Sequence, residues 1–267
     1  MLSENFALDA KSISKLATRG LPLEELKAQI ADSIDIFIEL SRAQGITIVK
    51  NQGNYFFDTK YLKIEEAEFC IVDIETNGSK IDKHQIIEIA AVKVKNGEII
   101  DKFESLVYAK EINPHISQIT GIYAEDTRDA PNLKTVMMEF KLFLDDAILV
   151  AHDVKFDYNF ISLSMQKIGL EPILNRSLCS LALAERTVVS YRYALSYLND
   201  TFELNPNATH HRAMSDVLTT YGLFLLSIKS CDESLNNAED LIKFSKQGKR
   251  LKRPKIDPFL EKEMDVE

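Results

Sequence analysis

The sequence predicts an α/β fold: a mixed central sheet with flanking helices, preceded by a small N-terminal helix-hairpin unit. Three observations carry that expectation. Apolar, strand-like runs at 69–75, 86–94 and 99–108 follow one another closely, with Asn96-Gly97 marking a tight turn between the last two, as in an antiparallel meander. Helical apolar periodicity then alternates with a short buried run at 148–151, so the sheet must continue through crossovers. Ahead of both, residues 1–62 combine one amphipathic stretch with a second turn signal.

Within residues 1–62, Leu26, Ile30, Ile34, Phe37 and Leu40 recur at three- and four-residue spacing, with Pro22 suited to a first helical turn and Gly45 to a stop. One amphipathic helix over 22–44 is expected. Residues 46–50 and 54–57 flank Asn51-Gln52-Gly53, a hairpin signal with glycine at the positive-φ position. A helix followed by a hairpin resembles the end of a winged-helix module. Residues 1–60 hold 7 Lys/Arg against 8 Asp/Glu, so packing or partner binding is favoured there over DNA reading. Residues 63–230 read as the main domain. A helix over 131–144 should bury Leu133, Val136, Met137, Phe140 and Leu144; others begin near Phe156 and cover 178–186, 194–198 and 213–229. Residues 231–267 turn polar, with Lys246, Lys249, Arg250, Lys252, Arg253 and Lys255 ahead of an acidic end at 261–267. A solvated tail is expected, with a phosphate tether or a docking peptide around Phe259 and Leu260 as its functional alternatives.

At 267 residues and 45% hydrophobic content, the chain can bury the core of one catalytic domain and a smaller addition. Its longest apolar stretches, 147–151 and 69–72, fall far short of the roughly 20 residues of a membrane helix, and no signal-peptide pattern is visible. No membrane association and a cytoplasmic location are expected. Cys70, Cys179 and Cys231 form no CxxC pair, so neither a disulfide framework nor a zinc knuckle is suggested. The formal net charge of −9 argues against long-range capture of nucleic acid. That objection weakens if several acids form a metal site, because two divalent cations would cancel four carboxylates locally.

Asp73 and Glu75 stand two apart in an apolar strand, so both carboxylates point to one face, about 6–7 Å apart along the chain. Like charges are costly there unless a cation or basic partner offsets them; the plain alternative is a strand end where polarity resumes at Thr76-Asn77-Gly78. Asp157 enters the first turn of the helix after the 148–151 run, where an acid also answers the helix dipole. His152-Asp153 adds ligand or acid/base capacity, set against the commoner role of a lone histidine as a hydrogen-bonded structural residue. His211 and Asp216, five apart, would diverge by about 140° on one helix. Convergence therefore requires His211 on the preceding loop and Asp216 in the first turns, and spacing alone does not select His211 over His210. Oxygen ligands of this kind suit two divalent metal ions, Mg²⁺ or Mn²⁺. The matching chemistry is phosphodiester hydrolysis, in which a metal pair about 3.5–4 Å apart activates water and stabilises the leaving oxygen while a histidine takes the proton.

These residues form three blocks: Val72-Asp73-Ile74-Glu75-Thr76-Asn77-Gly78, Val150-Ala151-His152-Asp153-Val154-Lys155-Phe156-Asp157, and His211-Arg212-Ala213-Met214-Ser215-Asp216. In this order, with Ile86-Ile87-Glu88-Ile89-Ala90-Ala91-Val92 behind the first, the chain resembles the DnaQ-like exonucleases of the DEDDh type, which include the epsilon proofreading subunit of bacterial replicative DNA polymerase. The resemblance implies an RNase H-like fold and a 3′–5′ exonuclease acting on single-stranded or frayed DNA ends. It implies that Asp73, Glu75, Asp157 and Asp216 hold two divalent ions and that His211 is the general base. Thr76 would lie beside the terminal nucleotide, with His152 as a further substrate-binding candidate. A DNA polymerase or sliding clamp is a candidate partner, with no partner as the other reading; RNA trimming, or a catalytically silent scaffold, are the alternatives in function. Two departures stand out. Asp153-Val154 replaces the family's common Asn-Ala, and Asn77-Gly78-Ser79 stands where Thr-Gly and an apolar residue are common.

Overall fold

The computed structural model describes residues 8–30, 33–209, 211–232 and 234–257; His210, Phe259, Leu260 and the acidic end lie outside them. Helix α1 (Ala10–Leu16) starts where the Asp9 carboxylate accepts from the Ser12 amide at 2.7 Å. Then come strand β1 (Leu21–Pro22), helices α2 (Leu23–Lys27) and α3 (Ile34–Ala43), and strands β2 (Ile48–Asn51) and β3 (Asn54–Phe57). The strands pair antiparallel in the order β1-β3-β2. Gln52 and Gly53 both turn left-handed, at φ 46° and 83°, closing the expected hairpin in two residues.

The single helix expected over 22–44 is two helices. Pro22 pairs with Asn54 as a strand residue, and the Ser33 hydroxyl accepts from Ile36 to open a new helix. The apolar period runs through the break because Leu26 and Phe37 enter one core with Leu16, Leu21, Ile46, Ile48, Tyr55 and Phe57. The spacing reported a shared buried face, which two successive helices satisfy as well as one.

The central sheet comprises β4 (Phe69–Thr76), β5 (Ile86–Lys95), β6 (Glu98–Leu106), β7 (Ile148–Ala151) and β8 (Ser177–Cys179), ordered β6-β5-β4-β7-β8. The first three strands are antiparallel and the last three parallel, which makes the sheet mixed. Asn96 and Gly97 form the left-handed turn between β5 and β6. Around the sheet lie α4 (Pro114–Thr120), α5 (Leu133–Leu144), α6 (Val154–Lys167), α7 (Ser180–Thr187), α8 (Leu195–Phe202), α9 (Ala213–Lys229) and α10 (Ala238–Gln247). Strand alternation sorts them into layers. Cys70, Val72 and Ile74 pack with Val136, Met137 and Phe140 of α5 and Phe160 and Ile161 of α6. Phe69 and Ile71 face the other way, onto Val217 and Phe224 of α9, with the Phe69 and Phe224 rings 4.9 Å apart.

Two expectations are corrected. The helix expected from residue 178 starts at Ser180, because Ser177–Cys179 pairs with β7 as β8. The solvated tail expected over 231–267 contains α10, whose Ala238, Leu241 and Ile242 are buried in the α9-side core. Three apolar residues at helical spacing suffice when the remaining polar side chains have partners. Glu239 is one of them: it accepts from Arg176 Nε at 3.0 Å and from Thr59 Oγ1 at 2.7 Å. Arg176 in turn lies 4.5 Å over the Phe57 ring, and Thr47 donates to Asp146 at 2.7 Å, so the N-terminal unit is stitched to the sheet and to α10. No helix among the described residues is long and apolar enough to cross a membrane.

Asp58 sits in this junction. Burial first, then the Asp146 and Glu239 carboxylates, push its carboxyl up to about 6, against the opposing pull of the Thr59 amide and Arg176. Between its ordinary value of 3.8 and about 6, the native state holds a proton that the unfolded chain has released. This group's contribution is therefore full below that window and declines as pH rises through it. Asp58→Asn keeps an oxygen for the Thr59 amide without the charge. It should stabilise the protein by about 1 kcal/mol near pH 8 and by much less near pH 4, read from urea denaturation at both values. An equal gain at both would refute this account.

Candidate active site

The alternation that sends Phe69 and Ile71 toward α9 continues to Asp73 and Glu75, so both acids lie on the α9 face. Pairing between β4 and β7 ends at Ile71 opposite Val150, leaving the last residues of β4 beyond its short neighbour. A crevice opens there, at the carboxyl ends of the parallel strands, where α/β sheets commonly place their sites. The β4–β5 register also jumps: Glu75 lies opposite Glu88 and Thr76 opposite Ile86, with Ile87 as the extra residue of a bulge.

Helices from both layers reach this crevice. Asp153, left-handed at φ 72° and ψ 58°, turns the chain from β7 into α6 and places Asp157 in the first turn, 4% exposed. The Ile74 backbone, between the two β4 acids, lies close enough to Asp157 to pull its carboxyl down, against the burial that raises it. From the other layer, His211 precedes α9 in a left-handed conformation at φ 62°, and its amide donates to Asp216 Oδ2 at 3.1 Å. His211 thus stands on the loop and Asp216 in the first turn, the arrangement their convergence required. Side-chain ligand atoms of Glu75, His211 and Asp216 lie within 4.8 Å of one another.

The electrostatics match this crowding. Burial, followed by Asp157, Glu75, Asp216 and Glu88, holds the Asp73 carboxyl well above the usual carboxylate range. Burial, Asp216, Glu88 and Asp157 raise Glu75 to about 8. Asp157 rises to about 7, chiefly through burial. Carboxylates this close resist ionising together, and a hard divalent cation relieves them better than protons do. The donor set, carboxylate oxygens and one imidazole without thiolates, fits that class of ion.

The two residues expected to meet substrate fare differently. Thr76 stands half-buried at the end of β4, its hydroxyl donating to the Gly78 carbonyl at 3.1 Å. His152 has protein partners on both sides of its ring. Its Nε2 lies 2.8 Å from the Tyr193 carbonyl, which can only accept, and its Nδ1 lies 3.1 Å from Ser180 Oγ. Both ring nitrogens are engaged and burial lowers its pKa, so His152 clamps the end of β7 to α7 and to the loop before α8.

Sequence reasoning gave Glu88 and Arg212 no role. Glu88, 1% exposed, accepts from Arg212 Nη2 at 2.9 Å and from the Ala213 amide, the first of α9, at 2.9 Å. It therefore cancels one cation and caps the helix that carries Asp216. The available signal was a lone acid inside the apolar run Ile86-Ile87-Glu88-Ile89-Ala90-Ala91-Val92.

A mixed five-stranded sheet of this order matches the RNase H-like exonuclease fold. Residues 70–224 match the RNase T family, described as exonuclease, and the chain belongs to that family of metal-dependent nucleases that hydrolyse phosphodiester bonds. It is 35% identical over 181 residues to the PolC-type DNA polymerase III of Staphylococcus haemolyticus, covering 67% of this chain and 12% of that protein. The counterpart in Caldanaerobacter subterraneus is 33% identical over 205 residues, covering 73% and 14%. The chain thus spans only a small part of the length of these relatives. Among solved structures, exonuclease X in complex with 5′ overhanging duplex DNA is 25% identical with a TM-score of 0.51, over 66% of this chain and 99% of that one. Escherichia coli exonuclease I in complex with a dA16 oligonucleotide shares the fold at 16% identity and a TM-score of 0.57, over 62% and 41%.

Glu88→Gln keeps the side-chain volume and loses the ion pair. Because Arg212 is 45% exposed, the expected cost is about 1–2 kcal/mol, below that of breaking a fully buried pair. Amide exchange at Ala213 and Asp216 should quicken about tenfold, because the carboxamide has one oxygen for the two donors, Arg212 and the Ala213 amide, that the carboxylate serves with two. Urea denaturation and residue-resolved hydrogen exchange measure both; unchanged exchange at Ala213 removes the capping role.

Proposed function

We propose that the chain removes nucleotides one at a time from DNA 3′ ends, as a proofreading-type 3′–5′ exonuclease of replication or repair in the cytoplasm. The observation that carries this reading is the convergence of Asp73, Glu75, Asp157, Asp216 and His211, from three separate stretches of chain, on one crevice. In it, Asp73, Glu75, Asp157 and Asp216 hold two divalent ions, Mg²⁺ or Mn²⁺. Bound there, such ions supply an attacking water of lowered pKa and a counter-charge for the leaving 3′ oxygen. His211 accepts the proton of that water, from a loop fixed by its own amide's bond to Asp216. Thr76, at the rim, lies beside the terminal nucleotide. His152 acts at one remove, by holding the wall of the site through Tyr193.

The molecules held by similar solved structures support DNA: exonuclease X is bound to duplex DNA with a 5′ overhang, and exonuclease I to a dA16 oligonucleotide. The PolC-type relatives support a polymerase context. The N-terminal unit contributes docking and not base reading. Its helices and β1-β3-β2 sheet support the winged-helix-like reading, while the outer face of α3 offers Asp35, Ile36, Glu39 and Leu40, which suits a protein surface such as a polymerase or a sliding clamp better than phosphates.

With Mg²⁺ or Mn²⁺, the protein should shorten a 5′-labelled DNA oligonucleotide in single-nucleotide steps, and Asp157→Ala should abolish the ladder. A ladder that Asp157→Ala leaves intact, or none from the wild type, ends this reading. An RNA oligonucleotide of the same sequence, run in parallel, identifies the preferred sugar, which rests on contacts to the 2′-hydroxyl.

His211→Ala should retain metal binding by calorimetry while turnover falls by about 10²–10⁴-fold, the usual share of a positioned general base. Loss of metal binding in that variant would make the histidine a ligand instead.

A further inference from the structure

Between Gly248 and Asp257 the chain forms neither helix nor strand, yet it is fastened at every few residues. Arg186 donates to the Gly248 carbonyl at 2.8 Å, and the Leu251 amide donates to the Glu185 carbonyl at 2.8 Å. The buried Glu185 carboxylate pairs with Arg250 at 3.0 Å and with Arg253 at 2.8 Å. At the far end Asp257 accepts from Tyr197 at 2.7 Å and pairs with Arg192 at 3.6 Å. The segment is a strap laid across α7 and the loop before α8.

Its charge pattern is ordered. Arg250 and Arg253, three residues apart, reach the same carboxylate, so residues three apart share an edge, as in an extended chain of three residues per turn. Lys249, Lys252 and Lys255 keep that spacing and are all exposed. In a chain of that pitch the three lysines stand about 9 Å apart. In a protein of net charge −9, with its main site acidic, this is a concentrated positive feature. It also leads to the site. Arg253 lies 4.9 Å over the Tyr193 ring, and the carbonyl of Tyr193 is bound by His152, at the turn into α6. Next to it Arg192 lies 5.6 Å from the Tyr191 ring centre, offering flat surfaces to an unpaired base.

We propose that this strap is a binding track for the backbone of a single nucleic-acid strand, with Lys249, Lys252 and Lys255 contacting phosphates upstream of the 3′ end held in the active site. The track rests on the exonuclease reading above for its orientation, and not for its affinity, which comes from cations outside the crevice.

The test replaces Lys249, Lys252 and Lys255 by alanine together in the full chain, with circular dichroism to check the fold. Fluorescence anisotropy with an oligothymidylate of about 20 nucleotides, free of divalent metal, should show binding weakened about tenfold, and the slope of log affinity against log salt should shrink by about 2, or roughly 0.7 for each lysine. In cleavage, KM should rise for that strand but not for one of about 3 nucleotides, too short to reach the strap. An unchanged salt slope, or equal weakening for long and short strands, would overturn the track. A wild type that cleaves neither strand, yet loses binding in the triple variant, would sink the exonuclease reading and leave the track standing.

Discussion

Repulsion among carboxylates is the constraint around which this structure is arranged. Asp157, Asp216 and Glu88 all act on Asp73 and Glu75, in a crevice where burial already disfavours charge. Two like charges about 4 Å apart, at an effective dielectric near 20, repel by about 4 kcal/mol. A domain tolerates several such pairs only if its remaining interactions are strong. Here they are: both faces of the central sheet are covered, by Phe140 and Phe160 on one side and Phe224 and Leu241 on the other. One acid of the five is already answered within the chain. Arg212 and the Ala213 amide satisfy Glu88, which sets it apart from Asp73, Glu75, Asp157 and Asp216.

Backbone geometry delivers those four to one point from opposite layers. A strand can place two acids on one face, but a third and fourth must come from helices, and helices on opposite faces of a sheet meet only beyond its edge. The early end of β4–β7 pairing provides that edge. Two left-handed turns flank it. Asp153 and His211 both adopt left-handed conformations without being glycine, each just ahead of a helix bearing a site acid. Such conformations cost of order 1 kcal/mol or more and persist where the surroundings fix them. Asp153 also adds a charge that raises Asp157 further, which deepens the demand for a cation.

How much of this was legible in the sequence depended on whether a pattern had one structural solution. Strand alternation at Asp73 and Glu75, the Asn96-Gly97 turn, and the apolar periodicity of α9 each admit one, and those elements stand where they were expected. The apolar spacing across 22–44 admits two, since Leu26 and Phe37 share a core whether or not the helix is continuous. Helix α10 was hidden by its polar composition, because three buried apolar residues are few against a background of Lys, Glu and Ser. β8, with three residues, is too short for any periodicity. His152 illustrates a further limit: its partners Ser180 and Tyr193 are 28 and 41 residues away, and only the fold brings them to its ring.

The net charge of −9, which on its face opposes nucleic-acid binding, separates in the structure into two opposite regions. A phosphodiester cannot approach the crevice while its carboxylates are uncompensated, so binding there is conditional on cations. The strap over α7 carries its own positive charge, held by Glu185 and Asp257 whatever the state of the crevice. On the proposed reading, affinity for the strand would come from the strap and commitment of its 3′ end from the acids, and global charge predicts neither, because each is decided within a Debye length of the groups involved.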